Sequence, residues 1–188
     1  MPEIESMYKK VDGKILIEIK LSSIIQLFNS FDPAPFHEKE LDTAAEHYIV
    51  DTVDDFSQKT QFKIVIYLPP DLAVSDRAKK IAPAIQKHFH YKTLVAERKF
   101  RSRLKYGRFA LLVGLSFLFF SLVTGEYLLS VTTSIVTQLI ATALLVTGWA
   151  AMWEPVTVLL YELWPLMQMK KIYRKISTTE IDILPIPA

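Results

Sequence analysis

Alternation of apolar and polar positions marks two strands in the amino-terminal part of the chain. In Lys14–Leu21, the residues Ile15, Ile17, Ile19 and Leu21 fall on one face, while Glu18 and Lys20 fall on the other. Gln61–Leu68 repeats the pattern with Phe62, Ile64, Ile66 and Leu68. A period of two with one wet face is the mark of a half-buried strand. Asp12-Gly13, directly before the first strand, suits a tight hairpin turn and predicts a further strand within residues 5–11. Between the two strands, Pro33 and Pro35 make a loop. A helix then runs from about His37 to Phe56, with Leu41, Ala45, Tyr48, Ile49, Thr52 and Phe56 at helical spacing for packing on the sheet. After Pro69-Pro70, Ser75 suits a helix cap. Ala78, Ile81, Ala82, Ile85 and Phe89 form the next apolar stripe, with a kink or restart at Pro83 and continuation towards Arg108.

The pattern then changes character. From Phe109 to Trp153 the only residue charged at neutral pH is Glu126. Two runs, about 108–128 and 132–153, each approach the roughly 20 apolar residues that a membrane span requires, and neither has the polar face of a globular surface helix. A tight connection is expected at Gly125–Ser130, with Glu126 at the outer interface. Thr137/Ala141 and Ala143/Thr147/Ala151 place small residues at four-residue spacing, which suits close helix contact within the pair or between copies. Glu154–Pro165 is apolar apart from Glu154 and Glu162, and it reads as an interfacial helix that bends at Pro165 and continues into basic residues. In the tail, Thr179–Ile186 alternates again until Pro185, which permits a short edge strand returning to the sheet.

The organisation that follows is α+β. Residues 1–95 form a small two-layer (β)βαβα cytosolic domain. Residues 96–153 hold a basic juxtamembrane helix and a two-helix transmembrane hairpin, and residues 154–188 an amphipathic interfacial helix and a cytosolic tail.

Charge gives that plan a direction. Residues 1–90 carry 11 Lys/Arg against 14 Asp/Glu, whereas residues 91–108 carry 7 against 1. Arg98, Arg101, Arg103 and Arg108 precede the first apolar run, Lys170 and Lys171 follow the second, and the connection between the runs has no basic residue. Basic flanks stay on the cytosolic side, which predicts cytosolic termini, contact with anionic headgroups and an inner-membrane location. Trp149, Trp153 and Trp164 suit the aromatic belt near those headgroups. Beside an apolar run the basic stretch needs no nucleic acid to explain it, and no nucleic-acid partner is expected. The acidic start Met1-Pro2-Glu3 lacks an apolar core, so no cleaved signal peptide is expected.

Candidate chemistry is sparse. The chain has no cysteine, so disulfides, thiolate metal sites and cysteine nucleophiles are excluded. His47 and Asp51 are four apart on a helix and form a weak metal candidate. No glycine-rich phosphate loop, nucleophile elbow or acid/base pair stands out, and no catalytic residue or cofactor is assigned. Phe31, Asp32, Pro33, Pro35 and Phe36 make an unusually apolar loop, with an inward-folded arrangement of its aromatics preferred to a docking surface. Glu38, Asp42 and Glu46 form an acidic stripe, expected to be a solvated face or to meet a basic partner.

Leu27–Phe36 with Glu40-Leu41-Asp42 and Tyr48-Ile49, and Met152–Pro155 with Leu160-Tyr161 and Trp164-Pro165, resemble a family of small bacterial membrane proteins of uncharacterised activity. The resemblance covers about Leu16 to Arg174. It implies a bacterial inner-membrane location and no functional residue. The function expected from these readings is a non-enzymatic, membrane-anchored interaction or regulatory module, such as an accessory subunit of a larger complex, with a protein partner or a homo-oligomer. The alternatives are a homo-oligomeric transport component with the second helix lining a path, and a metal-dependent enzyme using His47 and Asp51.

Overall fold

The computed structural model describes residues 7–33 and 39–187. The chain is mixed α/β, with a four-stranded sheet and long helices, and it divides into two compact units. One comprises residues 1–95 and 169–188, the other residues 96–168.

The first unit is built on the sheet β1–β2–β3–β4, formed by Lys10–Val11, Lys14–Lys20, Phe62–Leu68 and Glu180–Pro185. β1 and β2 are antiparallel around Asp12-Gly13, whose φ angles of 50° and 76° give the doubly left-handed turn that favours Asp-Gly. β2, β3 and β4 are mutually parallel, with Leu16 beside Lys63 and Lys63 beside Glu180. The tail therefore does return to the sheet, as an edge strand parallel to β3.

Helix α1 spans Thr43–Asp54 and is capped by Asp42, whose side chain accepts a hydrogen bond from the Ala44 N–H. It begins later than the sequence reading placed it; His37 and Glu38 lie outside the described residues. Its inward stripe is also rotated from the expected one. Glu46, Ile49, Val50, Thr52 and Val53 are buried, whereas Tyr48 is half exposed. After β3 come a single turn, α2 (Pro70–Ala73), and the long helix α3 (Ile81–Val131). Pro83 sits in the first turn of α3, where its missing N–H costs no helical hydrogen bond. The core joins Ile15, Ile17, Ile64 and Ile66 of the sheet to Ile49 and Val53 of α1, Ile81, Ile85 and Phe89 of α3, and Ile172 and Ile176 further along. The last two come from the helix that precedes β4.

The second unit contains the rest of α3, then α4 (Ile135–Ala150), α5 (Trp153–Thr157), a π-helical turn at Val158–Glu162 and the start of α6 (Leu163–Ser177). Residues 125–130, expected to be the connection, are helical; the break falls at 132–134, where Ser134 caps α4. An apolar run marks what prefers lipid or a core, not where the backbone stops being helical; residues 124–130 carry no proline, and their one glycine, Gly125, lies close to Ala141 of α4. Small residues bring the helices together. A methyl group on Gly148 would meet Leu118 and Ser121 at 3.0 and 3.1 Å, and one on Gly107 would meet Val158 at 2.9 Å. Thr137, Ala141 and Gly148 are the buried positions of α4; of the second small-residue row, Ala143 and Thr147 face outward and Ala151 lies close to Gly114. The π turn ends three residues before Pro165, which cannot donate to Tyr161 and crowds its carbonyl; widening the helix there absorbs both effects.

Candidate interaction surfaces

The outer face of the sheet is a lattice of paired charges. Lys14 reaches Glu180 at 2.8 Å, and Lys63 reaches Glu180 at 3.0 Å and Asp182 at 2.7 Å. Lys9 pairs with Glu18 at 3.1 Å, and the Tyr67 hydroxyl donates to Glu18 at 2.8 Å. The parallel register sets these pairs side by side. The Tyr67 hydrogen bond, helped by Lys9, holds the Glu18 carboxyl below the ordinary range, and the Lys14 and Lys63 ammoniums do the same for Glu180. Hydrogen bonds to Asp182 and Glu180 raise Lys63.

On the opposite side lies a buried polar cluster that the sequence reading did not find. His88 on α3 sits 3.0 Å from Glu46 on α1, and Lys92, one turn further along α3, is also 3.0 Å from Glu46. The Leu41 N–H donates to His88 Nδ1 at 3.3 Å, which makes Nδ1 the acceptor and leaves Nε2–H to donate to the Glu46 carboxylate. Burial pushes the Glu46 pKa up, but the hydrogen bonds from His88 and Lys92 outweigh it and hold the group at about 2. With the His88 side chain 3% exposed and both ring nitrogens engaged, the cluster is closed to a substrate. Its role is to lock α1 against α3. Glu46 is thus not on a solvated acidic face. A signal was present: His88 is three residues after Ile85 and adjacent to Phe89, inside the inward stripe.

The other expected residues scatter. Phe28 is buried, as the inward arrangement requires, but Phe31 is 93% exposed and points away from the core. The Asp32 side chain accepts from the Glu40 N–H at 2.7 Å and ties the loop together. Pro33 is exposed, and Pro35, Phe36 and Glu38 lie outside the described residues. Asp42 is engaged as a helix cap. His47 and Asp51 are exposed on α1, and no group of three metal-ligating side chains occurs among the described residues.

The second unit presents a different surface. Phe109, Leu112, Phe119, Phe120, Ile135 and Leu139 are all well exposed, and only 17% and 11% of the most apolar windows of its two long helices are buried. Both helices are long and apolar enough to cross a membrane. Arg98 and Arg108 are exposed, and Arg101 pairs with Glu97. Arg103 pairs with Glu162 and lies over the Tyr106 ring, whose hydroxyl donates to Glu154. Trp149, Trp153 and Trp164 are exposed, Lys171 is exposed and Lys170 half-buried. A groove of about 310 Å³ between α3 and α4 is lined by Ser121, Glu126, Gln138 and Thr142 among apolar neighbours.

These features define a small α/β unit joined to a pair of long apolar helices. Comparison with protein-family models, curated proteins and solved structures finds no match.

Proposed function

We propose that this chain is an integral membrane protein and a non-enzymatic interaction or regulatory module, an accessory subunit that tethers its α/β unit to the cytosolic face of a bacterial inner membrane. The single observation that carries the reading is the apolar exterior of the second unit. Helices left mostly uncovered, with large apolar side chains outward, need a covering of lipid or protein. The basic flanks supply direction, since 91–108 carry 7 Lys/Arg against 1 acidic residue and the break at 132–134 has no basic residue. The charge-paired outer face of the sheet supplies a rigid, polar surface for a partner.

Topology reporters test it. Fusions at Met1 and at Ala188 should be active only in the cytosolic format, and a tag inserted at Thr133 should be reached from outside the intact cell. Opposite sides for the two fusions, or extraction of the chain by alkaline carbonate, would overturn the proposal. The groove holding Glu126, Gln138 and Thr142 favours a second reading, a homo-oligomeric transport component, because an ionisable group beside an apolar surface marks pathways. Ion flux through reconstituted vesicles, lost in Glu126→Gln, would select it.

A further inference from the structure

A cavity of about 340 Å³ opens in the first unit at the amino ends of β2, β3 and β4. Its lining includes Lys14, Lys59, Lys175, Thr60, Gln61 and Glu180. Three lysines thus line it with a single carboxylate, that of Glu180. That carboxylate is already shared between Lys14 at 2.8 Å and Lys63 at 3.0 Å, so Lys59 and Lys175 carry the uncompensated charge.

Lys175 is the telling residue. It is half-buried, and its ammonium donates to the Ser57 and Gln58 carbonyls at 3.2 and 3.1 Å while standing 4.5 Å from the centre of the Phe62 ring. These contacts orient the cation without neutralising it, and no carboxylate pairs with it among the described residues. Withdrawing a cation from water without a counter-charge is costly. A small anion entering the cavity removes that cost. The surroundings are rich in donors: the Lys59 ammonium, the one N–H that Lys175 has left, the Gln61 amide and the Thr60 hydroxyl. Two positive charges and several donors match a phosphate monoester, which carries about −1.5 to −2 at neutral pH with three acceptor oxygens, better than they match a single carboxylate. The volume lies at the small end of ligand sites, about 300–1,000 Å³.

We infer that this cavity binds a phosphate monoester, held by Lys175 and Lys59. The inference goes beyond the proposed tethering role and holds whichever way the second unit is covered.

Titration calorimetry on the full chain in a neutral detergent tests it with two probes bearing the same group. Glycerol phosphate represents a soluble source, and dihexanoyl phosphatidic acid a lipid headgroup. Binding of either supports the site, and the tighter of the two identifies the source. Lys59→Gln and Lys175→Gln should each weaken binding about tenfold, while Lys20→Gln, at an exposed position outside the cavity, should leave it unchanged. Lys175→Gln also removes the link to the Ser57–Gln58 loop and can loosen the fold, so the decision rests on Lys59, which is exposed. Absence of heat for both probes up to roughly millimolar concentration overturns the inference. Equal affinity of Lys59→Gln and Lys20→Gln does the same.

Discussion

Replacing Glu46 by Ala removes the acceptor that both His88 and Lys92 use. His88 then keeps a buried Nε2–H with no partner, because its Nδ1 is already occupied by the Leu41 N–H. Lys92, which is 30% exposed, turns back to water at little cost. Two routes give the magnitude. Breaking a buried charged pair from one side costs about 3–5 kcal/mol, and the partial exposure of Lys92 places this case at the lower end. Independently, a carboxyl moved from 4.5 to about 2 is stabilised in its charged form by about 3 kcal/mol. The folded-state pKa lies below the unfolded one, so this contribution is fully present above about pH 4.5 and is lost as pH falls from there towards 2. All three tryptophans lie in residues 149–164, so their fluorescence does not report on the sheet unit. Hydrogen exchange in peptides covering Phe62–Leu68 does. Glu46→Ala should raise exchange there on the order of a hundredfold. Glu46→Gln keeps an acceptor for His88 and should lose less, while its acid melting curve between pH 4.5 and 2 should flatten. Unchanged protection of β3 in Glu46→Ala would refute the claim that this cluster joins α1 to α3.

Three further outcomes are expected. Gly148→Ala forces a methyl group against Leu118 and Ser121 and should destabilise the helical pair by about 1–3 kcal/mol, read from tryptophan fluorescence during thermal unfolding. Phe31→Ser should change stability by less than about 0.5 kcal/mol, because the side chain is almost fully exposed; a large loss of melting temperature would place the ring in a contact. Deleting residues 178–188 removes β4 together with the Glu180 and Asp182 partners of Lys63, so the truncated chain should melt at lower temperature and lose exchange protection in β3, and a melt matching the full chain would count against that pairing.

What the sequence disclosed and what it hid have separate physical causes. β2, β3, the Asp12-Gly13 turn and the tail strand were legible because side chains alternate with the backbone pleat, so burial on one face writes itself into every second residue. The inward face of α1 was misread at Tyr48 and Glu46 for one reason. Hydrophobic spacing assigns aromatic residues inward and charged residues outward, yet Tyr48 lies partly outside and Glu46 is buried. What reverses the assignment is His88, 42 positions away in sequence, and no local window contains it. The cation-lined cavity was hidden similarly, since Lys14, Lys59 and Lys175 come from three distant segments. The length of α3 escaped because Gly125 and the falling hydropathy of residues 125–131 read as a turn, although no proline stops the helix there.

The pairing of β4 with β3 also imposes an order of events on synthesis. Lys63 and Glu180, neighbours across that ladder, are separated by 117 positions, and the whole second unit lies between them. At about 5–20 residues per second, β3 waits on the order of several seconds with one flank bare before its neighbour leaves the ribosome. Through that interval the nascent sheet exposes an apolar strand edge of the kind that recruits wrong partners. The late strand arrives only after both apolar helices have been made. The sheet of the α/β unit is therefore completed only once the whole helical pair has been synthesised.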